Sequence, residues 1–441
     1  MDADVTDRAG TATEPDNKSG SEPPTGAPGP DDIDAEPAAT PANPRRHWLR
    51  WAALGTSVVI LATAGAGWWF YQKLDGNITT DTSAATELHT YEKERPTPVA
   101  LDAQNILLIG SDSRSGEGNS KYGRDDGGSQ RSDTTILLHL AADRKSATAM
   151  SIPRDLMVEI PDCARPDGTR GQARFAQFNW AFETGGAACT IRTVEKLTDI
   201  RVDHHMVIDF SGFTDVVDAV DGVEVCLDQP VKDVQARLEL PAGRQTLDGE
   251  QALGFVRARH GIGDGSDTQR MDRQQRFLGA LFKKVQSNGV LLNPARLYPV
   301  LDAATKSLTT DSGLDSLGDL YELARSMRSV PMEKVQFLTV PRQPYSQDPN
   351  RDELIPSAAT SLFERLREDQ PVSVSADGTD GQDGQDGQDA GKSDGEGDGK
   401  SDDTVKNSRN DSGGGSDTGA TGSPSPAPTF QGTNAAAGMC G

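Results

Sequence analysis

The residues best suited to chemistry are arginines at the ends of hydrophobic runs, alternating with aspartates. The first set is Gly110-Ser111-Asp112-Ser113-Arg114, directly after the apolar run Asn105–Ile109. The second is Arg131-Ser132-Asp133-Thr134, the third Ser151-Ile152-Pro153-Arg154-Asp155, and the fourth Val256-Arg257-Ala258-Arg259-His260. The fifth runs through Asp264, Asp267, Arg270, Arg273 and Gln274. One arginine alone is ordinarily a solvated surface residue. Arginines 114, 131, 154, 257, 259 and 270 all fall at expected element ends, among Asp112, Asp133 and Asp267. If they converge, they need a local anion. The planar guanidinium fork matches pyrophosphate oxygens, and Mg2+ favours few carboxylates together with substrate phosphates. Other catalytic patterns are missing from the sequence: no Gly-x-Ser-x-Gly elbow, no Walker loop, no His-Glu-x-x-His. His139 falls mid-strand, and His204-His205 have no metal-spaced partner.

The elements that must position these residues alternate in type. Asn105–Ile109, Thr134–Ala141, Ala147–Ile152, His205–Phe210, Val223–Leu227 and Val335–Val340 read as strands. Helical spacing occupies Phe175–Glu183, Thr190–Thr198, Phe213–Val220, Gly249–Arg259 and Gln269–Gln286. It recurs in Leu297–Leu308, Leu314–Met327 and Ser357–Arg367, and Gly185-Gly186 breaks the first pair of helices. Strands alternating with helices predict a layered α/β domain over 100–370. In an open α/β sheet, ligands gather where strands end, which is where the arginines lie.

Composition frames that domain. Hydrophobic residues are only 34% of the 441, and the net charge is −23. Residues 1–44 carry −8 and residues 372–441 another −8. The acidity is thus mainly a property of the ends, and it disfavours nucleic-acid binding, which needs a basic surface. Residues 1–47 and 372–441 are expected to be disordered acidic tails, the latter through Gly/Asp/Ser-rich repeats. Residues 51–72 contain no charge and are long enough to cross a bilayer as a helix. Arg45, Arg46 and Arg50 precede them, which predicts a single-pass anchor with a cytoplasmic N-terminus and an extracellular C-terminal domain. Residues 74–99 read as a polar extracellular stalk. Outside the membrane, one pair among Cys163, Cys189 and Cys226 suits a disulfide, and Cys163–Cys189 is favoured by its flanking loops. Cys440 falls in the tail.

The order and joint occurrence of these motifs resemble the LytR-CpsA-Psr family of membrane-anchored wall enzymes. Phe178-Asn179-Trp180-Ala181-Phe182, Leu247–Leu253 and Arg273-Gln274-Gln275 complete the matching stretches. The resemblance implies a three-layer α-β-α domain with a central mixed sheet and an apolar tunnel for a lipid. It implies an Mg2+-dependent phosphotransferase that moves a glycopolymer from a polyprenyl-pyrophosphate carrier to peptidoglycan through a phosphodiester. Carried onto this sequence, Asp112 and Asp133 would hold Mg2+. Arg131, Arg154, Arg257, Arg259 and Arg270 would clamp the pyrophosphate, with Gln274 and Arg114 assisting. Asp267 would orient the acceptor hydroxyl beside the catalytic Arg154, Arg257 and Arg259. The alternative is a polyprenyl-pyrophosphate-binding pyrophosphatase or a non-enzymatic envelope regulator.

Overall fold

The computed structural model describes residues 45–112, 131–262, 265–286, 293–375 and 428–437. Arg114, the rest of 113–130, Asp264, Cys440 and most of both acidic ends lie outside the described residues. Helix α1 spans Arg45–Asp75, and its part from Trp48 onward is the one described helix long and apolar enough to cross a membrane.

A nine-stranded mixed sheet organises residues from 79 onward. In chain order its strands are β1 (Thr79–Thr80), β2 (Gln104–Ser111), β3 (Ser132–Leu140), β4 (Ala147–Ile152), β7 (His204–Ile208), β12 (Leu308–Thr310), β13 (Val335–Thr339), β16 (Ser373–Ser375) and β17 (Thr429–Asn434). Their spatial order is β1-β12-β7-β2-β3-β4-β13-β17-β16. Smaller hairpins pair β5 (Met157–Ile160) with β6 (Arg174–Gln177), and β9 (Val231–Asp233) with β10 (Leu238–Leu240). Strand β8 (Val223–Leu227) pairs with β11 (Gly243–Leu247), and β14 (Arg342–Tyr345) with β15 (Asp348–Leu354).

Period-two alternation gives the sheet two apolar faces. Leu107, Ile109, Leu137 and Met150 pack with helices α2 (Thr82–Thr90), α3 (Trp180–Thr198) and α9 (Pro356–Arg367). On the other face, Ile136, Leu140, Ala149 and Phe337 pack with α6 (Asp267–Gln286) and α8 (Leu317–Arg328). Helices α4 (Phe210–Ala219) and α5 (Gly249–Arg257) build a second apolar cluster with β8 and α7 (Pro294–Ser307). Local sequence fixes their starts. Asp209 caps α4 through the Gly212 N–H, and Asp248 with Gln251 forms a capping box on α5.

Besides strands that the apolar runs do not show, such as β12 and the β9–β10 and β14–β15 hairpins, the structure departs from the sequence expectation in three larger ways. Phe175–Glu183 is not one helix: Arg174–Gln177 pairs antiparallel with Met157–Ile160, and α3 starts only at Trp180. Strand pairing across the hairpin overrides the local helical spacing. Helix α3 then runs through Gly185 and Gly186 as a kink, with Gly186 at φ +60°. Beside it, Cys163 and Cys189 form a disulfide.

Second, residues 74–99 are not a bare stalk. Asp81 caps α2, and Arg95 donates to both carboxylate oxygens of buried Glu195 and to the Val202 carbonyl. The Arg192 guanidinium lies 3.4 Å from the Tyr91 ring centroid. Charged and cation–π contacts hold this segment together with Ala84 and Leu88 of α2, too few apolar residues to give a hydropathy pattern.

Third, the acidic C-terminal stretch is not wholly disordered. Residues 429–434 enter the sheet antiparallel to β13 and parallel to β16. Their apolar content is little more than Phe430 and the neighbouring Ala435, both buried. Close backbone approach explains the glycine in this strand: a Cβ at Gly432 would collide with the Phe337 carbonyl oxygen. Gly432→Val is therefore expected to expel β17 and destabilise the domain by about 2 kcal/mol or more. Thermal unfolding of the full chain in detergent should show a fall of several degrees; an unchanged midpoint would remove β17 from the stable fold.

Candidate active site

Sheet register brings the motifs together. Strand β3 runs antiparallel to both β2 and β4, with Ser111 opposite Ser132 and Thr135 opposite Ile152. The exit of β2, the entrance of β3 and the exit of β4 thus share one edge. Strand β7 is parallel to β2, with Gly110 beside Ile208, so Asp209 and Phe210 arrive at the same edge. Helix α6 begins there as well, since Arg270 senses the charges of Asp133 and Arg154.

Behind this edge a cavity of about 630 Å³ lies between the sheet and α4, α5 and α6. Leu108, Ile136, Met206 and Ile208 line its sheet side; Phe213, Val216, Leu253, Val256, Phe277, Leu278 and Leu281 line its helical side. Its polar lining includes Asp133, Arg154, Arg257, Arg259, Arg270 and Gln274. A volume of this size suits a small-molecule or lipid segment rather than a few waters.

The polar groups are held from several elements. Arg154 donates through Nη1 to Asp133 Oδ1 at 3.0 Å and through Nε to Asp155 Oδ2 at 3.1 Å. Burial pushes Arg154 down, but Asp133 and Asp155 outweigh it and raise it above the ordinary arginine value. Arg257 stacks over the Phe210 ring, 4.4 Å from its centroid. Asp267 lies 3.4 Å from Arg270 Nη2 and 3.7 Å from Arg259 Nη2. Gln274 donates to the Val256 carbonyl at 3.0 Å, tying α6 to α5. Neighbouring Arg273 turns away from the cavity and donates to the Phe255 and Ala258 carbonyls.

Arg270 is the least satisfied of the set. It is 8% exposed, and its Nε is buried without a hydrogen-bond partner. Burial lowers its proton affinity; Asp267 opposes that, while the guanidiniums of Arg259 and Arg154 add to it. A buried N–H without a protein partner beside other cations is suited to an anion.

Two supporting residues had no sequence signal: Phe210, beneath Arg257, and Asp233. Asp233 lines the cavity and accepts the backbone N–H groups of Arg259 and His260 at 2.8 and 2.9 Å. Burial pushes its carboxyl up, but these bonds and those from Ala236 and Gln235 outweigh it and hold it at about 2. Its folded value is depressed, so the stability it contributes is present above about pH 4 and is lost as pH falls through 2. Asp233→Asn should remove about 2 kcal/mol of that acid sensitivity. Unfolding midpoints between pH 5 and pH 2 should converge for wild type and variant; parallel curves would contradict this role.

Arg131 departs from the expected clamp. It does not line the cavity, and its Nε pairs with Glu183 at 3.2 Å. The cause is a shift of register between Gly110 and Ser111, which leaves Asp133 as the extra residue between two ladder pairs. A β-bulge of this kind re-aims side chains, so Asp133 faces the cavity while Arg131 lines a neighbouring recess. Asp112 accepts the Arg131 N–H through Oδ1 at 2.6 Å. No group of three or more His, Cys, Asp or Glu residues among those described could hold a metal by itself. A cavity carboxylate, Asp133, with Asp112 at the adjoining strand end does fit a cation bound largely through substrate phosphates.

The family model described as the LytR_cpsA_psr family matches residues 74–368. Cell wall biosynthesis protein LcpA of Corynebacterium glutamicum is 33% identical over 309 residues, 65% of this chain and 58% of LcpA. The chain thus spans little more than half the length of that relative. Bacillus subtilis TagT, named a polyisoprenyl-teichoic acid–peptidoglycan teichoic acid transferase, is 28% identical over 66% of this chain and 85% of its own. The crystal structure of protein gbs0355 from Streptococcus agalactiae superposes with a TM-score of 0.50 at 24% identity. It covers 64% of this chain and 90% of that one, a likeness of fold.

Proposed function

The chain belongs to the LytR_cpsA_psr family, and from that premise we propose that it is a membrane-anchored transferase moving a glycopolymer from a polyprenyl-pyrophosphate carrier to peptidoglycan. One observation carries this reading: a single cavity joins an apolar interior to Arg154, Arg257, Arg259, Arg270 and Asp133. An isoprenoid pyrophosphate has that division of character, apolar along its length and multiply anionic at one end. The teichoic acid transferase name borne by the relative TagT supports the substrate class.

In this reading, the acceptor hydroxyl oxygen attacks the sugar-linked phosphorus. The bond from that phosphorus to the bridging oxygen breaks, and polyprenyl phosphate leaves with the oxygen. Asp267 accepts the hydroxyl proton, and its position between Arg259 and Arg270 keeps it at the phosphate. The four guanidiniums offset charge on the phosphate oxygens, with Gln274 holding α6 against the Arg257 helix. Phosphoryl transfer depends on such positioning and neutralisation more than on covalent participation. We further propose Mg2+ as cofactor, held by Asp133 and Asp112, where it would neutralise the leaving phosphate. Arg45, Arg46 and Arg50, ahead of the uncharged segment 51–72, support a cytoplasmic N-terminus and an extracellular catalytic domain.

The test uses the full chain in detergent micelles with Mg2+, a synthetic polyprenyl-pyrophosphoryl oligosaccharide and peptidoglycan fragments. Mass spectrometry is expected to find the oligosaccharide joined to the fragment through a phosphodiester, with polyprenyl phosphate released. Polyprenyl phosphate without the adduct would make the protein a pyrophosphatase, and an intact but bound donor would make it a lipid-binding envelope regulator.

A further inference from the structure

A second recess, of about 450 Å³, lies on the side of the strand ends to which Arg131 turns. It is lined by Arg131, Arg165, Arg174, Trp180, Glu183 and Thr184, together with Pro166 and Asp167. Its two carboxylates are already engaged. Glu183 pairs with Arg131, and Asp167 accepts both the N–H and the hydroxyl of Thr169. Among the cations, Arg174 donates to Thr184 Oγ1 at 2.8 Å, while the exposed Arg165 has no ion pair among the described residues. Three guanidiniums, of Arg131, Arg165 and Arg174, face the two carboxylates of Glu183 and Asp167, so the recess keeps a net positive charge.

It also presents an aromatic surface. Trp180 is the single tryptophan outside residues 45–75. Arg174 covers the ring at 4.8 Å, yet the residue is still 38% exposed. An indole edge and face beside arginines is suited to a sugar ring carrying an anion: the ring's apolar face lies on the aromatic, and the anion takes the guanidinium fork.

The recess and the cavity have no lining residue in common, but adjoining backbone links them. Arg131 is two residues from Asp133, and the bulge sends the two side chains to different sides. The Asn179 N–H donates to the Arg154 carbonyl at 3.0 Å, so Trp180 follows directly on a residue bonded to a clamp arginine. Backbone bonding thus ties the start of the Trp180 helix to the residue that supplies the Arg154 guanidinium.

We propose that this recess is a second binding site, for a saccharide bearing a carboxylate or phosphate, placed to bring that saccharide to the Arg154–Asp133 edge. The inference rests on the transferase reading for its purpose and not for its chemistry. The same anionic-saccharide chemistry has two sources: the peptide-bearing acceptor disaccharide, or the phosphate-bearing glycan of the donor. The experiment separates them. The full chain in detergent is titrated by calorimetry and saturation-transfer NMR with two probes, an N-acetylglucosaminyl-N-acetylmuramyl tetrapeptide and a glycerol-phosphate-substituted disaccharide.

One probe is expected to bind, with transfer signals to its ring protons. Its Kd should rise at least tenfold in both Trp180→Ala and Arg165→Ala. Affinity for a polyprenyl pyrophosphate lacking the saccharide should stay within twofold in both variants. Arg165 is exposed, so its variant tests the site without disturbing the core. Binding of the tetrapeptide probe assigns the recess to the acceptor, and binding of the phosphate probe assigns it to the donor glycan. Neither probe binding, or equal binding by wild type and both variants, overturns the proposal. Probe binding without transfer would sink the transferase reading alone. Transfer at wild-type rate by both variants would sink the second site alone.

Discussion

Arg154→Ala is expected to lower glycopolymer transfer by about two to three orders of magnitude, the cost of roughly 2–4 kcal/mol when one preorganised donor is lost from a transition state. Arg154 is the only residue in the cavity hydrogen-bonded to both Asp133 and Asp155 among the described contacts. Its fork therefore sets the separation of those two carboxylates as well as supplying charge. Arg154→Lys keeps the charge and loses the fork, so it should recover less than a tenth of the lost rate. The measurement is single-turnover formation of the phosphodiester adduct at saturating donor, with donor affinity determined separately. An Ala variant within tenfold of wild type would remove Arg154 from the reacting centre. A loss confined to donor affinity would make it a binding residue only.

Arg270→Met should move stability and function in opposite directions. Arg270 is 8% exposed, has an Nε without a protein partner and lies near Arg259 and Arg154. An apolar side chain of similar length removes the desolvation penalty and the repulsion. Asp267 is not stranded by the change, because it retains Arg259 at 3.7 Å and is itself 34% exposed. Replacing a poorly compensated buried ion by an apolar residue is often neutral or stabilising. The ligand-free variant should gain on the order of 1 kcal/mol, a rise of a few degrees in melting temperature. Affinity for a polyprenyl pyrophosphate should fall by one to two orders of magnitude, since the charge-assisted bonds awaiting the anion are gone. A variant that melts earlier and binds normally would mean that Arg270 is structural. Paired melts with and without the lipid pyrophosphate read both effects, because a ligand that binds only the native state raises its midpoint.

How much of this was legible in the sequence follows the physical range of each signal. Ala147–Ile152 and Val223–Leu227 are strands at the bounds their apolar runs suggest, because local pattern and burial agree there. The apolar helix over Trp51–Gln72 is equally local. The arginines at 154, 257, 259 and 270 are legible as a set because each closes or opens an element, and register alone brings those ends to one edge. Arg131 joins them in sequence because it stands at the entrance of a strand. One extra residue in a β-ladder separates it from Asp133, and a bulge leaves no periodic trace. Asp233 and Phe210 were missed for a related reason. Their importance lies in what folds against them, the Arg259 backbone and the Arg257 side chain. The anchoring of residues 79–95 and of strand β17 is also hidden, since ion pairs, two apolar residues of α2 and a Gly-containing strand hold them rather than long amphipathic stripes.

The position of β17 bears on how the chain is made. Ala147 pairs with Val335 in one ladder, and Gln336 pairs with Asn434 in the next. The middle of the sheet thus waits for a distant segment, and that segment waits for the last described residues of the chain. A ribosome adding about 5–20 residues per second takes on the order of 5–20 s to cover the roughly 100 residues between those partners. Throughout that interval the edge of β13 has unpaired backbone groups, a template for association with other chains. Nascent-chain vulnerability is therefore concentrated late in synthesis, and a stop codon just before residue 429 leaves that edge open permanently.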